Sequence, residues 1–418
     1  MAQTPPPPMT PALSLHFPLA RQVLLTTLLL TSVLAGCSRA PRGEEAPFVP
    51  ATDQEVLERV PARAADPGAR EREALRQRLD TAPQDLELAL KLAQAHIQEG
   101  RAKGDPRYLG RAQAALSTWW EQESPPLEVR VLRATILQSR HEFQAALTDL
   151  DAVVREAPGH SQAWLTRAVV LSVRGEHAEA ARSCAPLGGL AGELTRAVCL
   201  AQVQSTAGQS KQAFAELSKA LVAAQGGIAP TEQAWALSVL GEAAARAGDV
   251  PEGERLLKQA LALDPQDAYT RGALADLLID AGRASEAVEL VRSYPEDDAL
   301  LLRRVLAEKA LGTAEARAQA DTLRTRYAAS HLRGDSLHAR EEARFALGVD
   351  QDAARALSLA EANWQVQHEP WDARVLMEAA LAAGRPQAAL PVVDFLQANG
   401  AEDPGLMALA QRVRSALP

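Results

Sequence analysis

The chain has 418 residues, with 44 Lys and Arg against 53 Asp and Glu, a formal net charge of −9. No basic block stands out, which argues against nucleic acid as a partner. Aromatic residues make up only 4 %, and no stretch alternates β-branched residues between hairpin turns, so the chain reads as all-α.

The first apolar run, Val23 to Leu34, follows Arg21 and holds twelve uncharged residues. A membrane-spanning helix needs about 20. Twelve suits the apolar region of a secretory signal. The run ends in Leu34-Ala35-Gly36-Cys37. This segment resembles the lipobox of bacterial lipoproteins. The resemblance implies removal of residues 1–36 as a signal peptide and acylation of the Cys37 thiol. Ser38 resembles the outer-membrane sorting pattern. The implied address is the bacterial cell envelope, with the chain lipid-anchored at the outer membrane and facing the periplasm. The alternative is an ordinary secretory signal or a short anchor with an unrelated cysteine. After Cys37, residues 38–52 mix prolines with charges and small residues, a composition that cannot build a core. Residues 37–52 therefore read as a lipidated cysteine and flexible tether, and residues 53–82 as an N-terminal helical cap.

Beyond residue 82 the chain repeats itself, and self-similarity bears on fold class before anything else does. The clearest unit is residues 234–267, "AWALSVLGEAAARAGDVPEGERLLKQALALDPQD". It reads as two helices. Gly248 is placed to close the first in a left-handed conformation. Asp249 is a candidate N-cap for the second. Asp264-Pro265 stops it, because proline disfavours helix in the residue before it. Candidate turn glycines recur at Gly175, Gly208, Gly248, Gly282, Gly312, Gly348 and Gly384, with His141 in the equivalent place one unit earlier. The unit resembles the tetratricopeptide repeat: 34 residues, Leu240-Gly241 in the first helix, Gly248 in the turn, Ala260-Leu261 in the second helix and a closing Pro265. The resemblance implies a right-handed superhelical solenoid. Eight or nine repeats would span residues 83–403, and residues 404–418 would form a C-terminal capping helix.

In that family the first helices of the repeats line a concave groove. Carried onto this chain, the groove positions include Thr135, Gln138, Gln162, Gln202, Trp235, Glu242, Tyr269 and Asp276, with Trp371 and Arg374 further on. Trp235 and Tyr269 are the expected anchors, since large aromatic side chains commonly dominate interfaces. The resemblance implies a non-catalytic scaffold or adaptor that binds another envelope protein or a peptide segment of one.

Signs of chemistry are sparse. "HEFQA" at 141–145 begins like a zinc-protease helix but has Ala145 where the second histidine belongs. His331, Asp335, His338 and Glu342 are spaced so that some could share a helix face, which keeps a solute- or metal-binding or enzymatic site near 331–342 as the alternative function. No nucleophile elbow, phosphate loop or dinucleotide fingerprint is present, so no catalytic residue and no cofactor are assigned. Cys184 and Cys199 fall in the second helix of one repeat and the first of the next, on either side of "PLGGLAGE". An oxidising compartment would allow a disulfide; the alternative is two small core side chains.

Overall fold

The computed structural model describes residues 67–224, 226–332 and 339–417. Cys37, the tether and the start of the expected cap lie outside the described residues, as do Asp335 and His338. Among the described residues every regular element is helical. α1 (Pro67–Thr81) precedes a series of helix pairs: α2 (Leu86–Lys103) with α3 (Arg107–Ala115), then, after the short α4 (Ser117–Trp120), α5 (Leu127–Ser139) with α6 (Phe143–Glu156). α7 (Ser161–Val173) pairs with α8 (His177–Cys184); the short α9 (Leu187–Ala191) leads to α10 (Glu193–Thr206) and α11 (Ser210–Ala223). α12 (Pro230–Arg246) pairs with α13 (Val250–Leu263), α14 (Ala268–Asp280) with α15 (Ala284–Val291), and α16 (Asp298–Leu311) with α17 (Glu315–Leu332). α18 (Ala339–Phe345) with α19 (Ala353–Trp364) and α20 (Pro370–Ala382) with α21 (Leu390–Ala398) complete the pairs, and α22 (Pro404–Ser415) follows. The whole is an all-α superhelical solenoid.

The α12–α13 pair shows why these residues fold this way. Proline at the first turn of α12 removes a donor that has no helical partner anyway. Asp249 accepts a hydrogen bond from the Glu252 amide at 3.2 Å and caps α13, which ends at Leu263, one residue before Asp264-Pro265. The two helices cross where both are glycine. A Cβ at Gly241 would lie 2.7 Å from Leu257 Cγ, and one at Gly253 would lie 2.8 Å from the Gly241 carbonyl oxygen. Such spacing forbids any side chain at the crossing.

Turn geometry follows the glycine pattern with two exceptions. His141 adopts φ +61° in the place of a glycine. Gly348, expected as a turn glycine, is not one. α18 runs into a π-helical turn over Ala346–Asp350, which delays the reversal to Gln351 at φ +58°. Gly348 is instead pressed against the neighbouring repeat, where a Cβ would come within 2.6 Å of Leu306.

The core is a string of apolar clusters, each shared between one pair and the next. One of them, from Val131 to Val203, encloses Cys184 and Cys199. These cysteines form a disulfide with Cα atoms 5.7 Å apart, and α9 lies inside the loop it closes.

Gly241→Val is expected to lower unfolding free energy by about 1–3 kcal/mol through overpacking. Gly189→Ala, where a Cβ meets nothing within 4 Å, should be neutral or slightly stabilising. Urea unfolding of the two variants checks the contrast. Reducing the Cys184–Cys199 bridge removes about 3 kcal/mol of stability, the value for a loop of roughly 15 residues, and should appear as a lower urea midpoint in the presence of reductant.

Candidate functional site

The superhelix winds tightly enough for its C-terminal repeats to rest on the turns of its earlier ones. The His368 amide donates to the Val173 carbonyl at 2.8 Å, and the Glu402 amide to the Gly208 carbonyl at 3.0 Å. Gln367 Nε2 lies 3.2 Å from His141 Nδ1, and His177 Nδ1 3.2 Å from Asn399 Oδ1. Close approach is again made by glycine: a Cβ at Gly175 would sit 2.9 Å from the Phe395 ring, and one at Gly208 would sit 2.6 Å from Ala401 Cα. Two of the glycines that close helices thus also serve as the floor on which α21 and the segment before α22 lie.

Within the superhelix, α14 faces α18 and α20. Asp276 and Asp280 stand one helical turn apart, on one face of α14. Asp276 is 4 % exposed and pairs with Arg303 and with Arg344, each at 2.7 Å. Burial alone would push its carboxyl up, but the two guanidinium groups outweigh this and hold it below the usual range. Asp280 takes both oxygens to Arg374, at 2.5 and 2.8 Å. Between the two arginines lies Trp371, with Arg344 Cζ 4.0 Å and Arg374 Cζ 4.5 Å from its ring centroid. A cation on an indole face gains about 0.5–2 kcal/mol, more as water is excluded. The Arg344–Trp371–Arg374 stack is therefore a clasp that ties repeats nearly 100 residues apart.

Two clefts share Glu242 in their walls. One, of ≈ 610 Å³, lies between α12–α14 and α20–α22 and is floored by Leu257, Leu277, Leu406 and Leu409. Its charged walls are already paired: Glu242 with Arg246, Asp276 and Asp280 as above, and Glu378 with Arg374. The other, of ≈ 300 Å³, is lined by Gln202, Trp235, Glu242, Asp264, Asp267 and Tyr269, among others. Tyr269 is 62 % exposed and its hydroxyl donates to the Glu242 carboxylate at 2.9 Å.

Of the residues assigned to a groove from the sequence, the structure brings Gln202, Trp235, Glu242 and Tyr269 into this one cleft. Gln162 is exposed on α7, with its amide on Thr166, and Gln138 is half-buried near the end of α5. Thr135 and Asp276, expected on the groove, are buried instead. Thr135 is 7 % exposed and spends its hydroxyl on the Val131 carbonyl; Asp276 is consumed by its arginines. Neither is available to a partner. Trp371 and Arg374 likewise contact the chain itself. The partners of Asp276 were not readable beforehand, since Arg344 lies 68 residues away and has no local signal. In the 331–342 segment His331 Nε2 sits 2.8 Å from Glu342, which also approaches Arg355 at 3.4 Å. Among the described residues no group of three or more His, Cys, Asp or Glu side chains could hold a metal ion. No helix among them is long and apolar enough to cross a membrane.

A solenoid of stacked helix pairs defines the class of helical repeat proteins. Family models described as tetratricopeptide repeat match residues 131–185 and 244–308. These two stretches carry tetratricopeptide repeats. No curated protein matches the chain in sequence. Among solved structures it is similar to TTC0263, a thermophilic tetratricopeptide-repeat protein of Thermus thermophilus, with 23 % identity over 45 % of this chain and 100 % of that one, at a TM-score of 0.37. A tetratricopeptide-repeat protein from Parabacteroides merdae is 15 % identical over 69 % of this chain and 98 % of its own, at 0.32. The Cut9–Hcn1 hetero-tetramer of the APC/C gives 13 % identity, 84 % and 87 % coverage and 0.40.

Asp276→Ala leaves Arg303 and Arg344 without their shared anion and is expected to cost about 3–5 kcal/mol. Asp280→Ala breaks a pair that is 30 % and 45 % exposed, and should cost at most about 1 kcal/mol. Urea midpoints of the two variants measure the difference.

Proposed function

We propose that this protein is a lipid-anchored, non-catalytic scaffold of the bacterial cell envelope. In this reading it holds an extended segment of another envelope protein in the ≈ 300 Å³ cleft of α12 and α14. Tetratricopeptide repeats support a protein-interaction scaffold in general. The observation that carries the particular site is the cleft itself: Trp235 and Tyr269 supply apolar area, and Gln202 and Glu242 supply polar groups beside it. Most of the remaining interior charge is spent on internal pairs. Carboxylates at Asp264 and Asp267, with a chain charge of −9, favour a neutral or basic segment. Membrane attachment is supported by Leu34-Ala35-Gly36-Cys37, and an oxidising compartment suits the Cys184–Cys199 bridge.

Two measurements test this. Cys37→Ala should leave an uncut precursor or release soluble protein when cells are fractionated; normal cleavage with membrane retention rejects the lipid anchor. Trp235→Ala and Tyr269→Ala should each weaken capture of the envelope partner, identified by crosslinking in intact cells, by about thirtyfold, equivalent to roughly 2 kcal/mol. Helicity should hold nearly constant in both; melting should hold in Tyr269→Ala, because Tyr269 is exposed, and fall only modestly in Trp235→Ala, because Trp235 is half-buried at the edge of a core cluster. Undiminished capture in both variants rejects this cleft.

A further inference from the structure

The seam between the early turns and the C-terminal repeats is unusual in what it is made of. Two backbone hydrogen bonds cross it, at His368 and Glu402. Around them sits an aromatic cluster built on Phe395, whose ring is 5.3 Å from the His368 ring, 5.9 Å from the His177 ring and 5.4 Å from the Trp364 ring. Trp364 meets His368 edge-on at 4.5 Å. The two imidazoles come from opposite sides of the seam, His177 from the first turn of α8 and His368 from the loop before α20. Each has one ring nitrogen shut away from water without a hydrogen-bond partner, Nε2 of His177 and Nδ1 of His368.

We infer that this seam is a proton-operated catch: charging His177 and His368 releases α21 and the segment before α22 from the turns of α7–α8 and α10–α11. This does not depend on the partner or location proposed above.

The surroundings of each ring decide the sign. His177 faces Phe395 and the Asn399 amide, which raises its affinity for a proton by less than burial lowers it. For His368, burial is the largest influence and lowers its pKa; the backbone of Arg174 raises it, and the charges of His177 and Arg174 lower it further. Arg246, Glu369 and Asp403 share a small void with His368. Both carboxylates there are engaged elsewhere, since Glu369 pairs with Arg340 at 2.9 Å and Asp403 caps α22. No carboxylate bonds to either ring among the described residues. A single imidazolium would gain from the Phe395 ring, but both histidines lie against this same ring, so charging both sets two cations about one phenyl group. Both histidines therefore bind protons more weakly in the closed seam than when released. The closed form is then fully favoured above about pH 6.5, the free imidazole value, and loses ground as pH falls below it. Each histidine contributes up to about tenfold per pH unit.

Hydrogen exchange of the full chain, corrected for intrinsic rates, reads the seam through the His368 and Glu402 amides. Between pH 7.5 and 5.5 their protection should fall by about ten- to a hundredfold, while core amides of α12 and α13 and the far-ultraviolet dichroism stay constant. His368→Phe keeps a flat ring against Phe395 and cannot charge; combined with His177→Gln it should hold the seam closed across this range. Asp372, buried beside Arg340 and pushed up to about 7 chiefly by burial, titrates in the same window. The transition should survive in Asp372→Asn. Protection independent of pH overturns the inference, as does equal loss in the double histidine variant, loss of the transition in Asp372→Asn, or a simultaneous fall in helicity.

Discussion

A pair of short helices has apolar side chains on the flank that its own partner does not cover, and it can hide them only against the next pair. That constraint generates the rest of this molecule. It requires the pairs to stack, and it requires the helices within a pair to cross closely enough for the flank to be continuous. At the α12–α13 crossing the approach is so close that Gly241 and Gly253 face each other. The same stacking runs through every apolar cluster from Leu88 to Val413. The Cys184–Cys199 bridge sits inside one of these shared clusters, at the junction between consecutive repeats, where it joins the second helix of one pair to the first helix of the next.

Stacking with a constant small rotation also makes curvature unavoidable, and here curvature brings distant repeats into contact. Polar residues that would otherwise face an open groove then face one another. Asp276, Asp280, Arg344 and Arg374 are satisfied in this way, with Trp371 between the arginines. Burying such charges is costly unless each is paired, so the clasp constrains how the two parts of the superhelix meet more than it adds to net stability. With that part of the interior filled by the chain's own ion pairs, the cleft lined by Trp235 and Tyr269 stays open.

The seam and the clasp differ in chemistry. The clasp uses arginines, whose charge does not change in the physiological range, whereas the seam uses imidazoles set among aromatic rings. A contact of the first kind is permanent with respect to pH and a contact of the second kind is conditional. The difference allows α21 and the segment before α22 to respond to protons while α14, α18 and α20 remain tied.

The sequence by itself determined the repeat, the helical class and most turn positions, because these depend on local rules. A left-handed residue must close each first helix, and proline and aspartate mark the ends of others. Those signals are strong at Gly248, Asp249 and Pro265 and failed at Gly348, where a π-helical turn moved the reversal to Gln351. Four residues assigned to the groove, Gln202, Trp235, Glu242 and Tyr269, share a cleft because position within a repeat fixes the face of the helix. What only the tertiary structure decided was which of the other groove positions remained open. Asp276 and Thr135 hold the same sort of place in their helices, yet both are buried, and the partners of Asp276 come from Arg303 and Arg344 further along the chain. Such pairings arise from the accumulated rotation of many repeats, a long-range quantity to which every crossing contributes a little and which no short stretch of residues encodes.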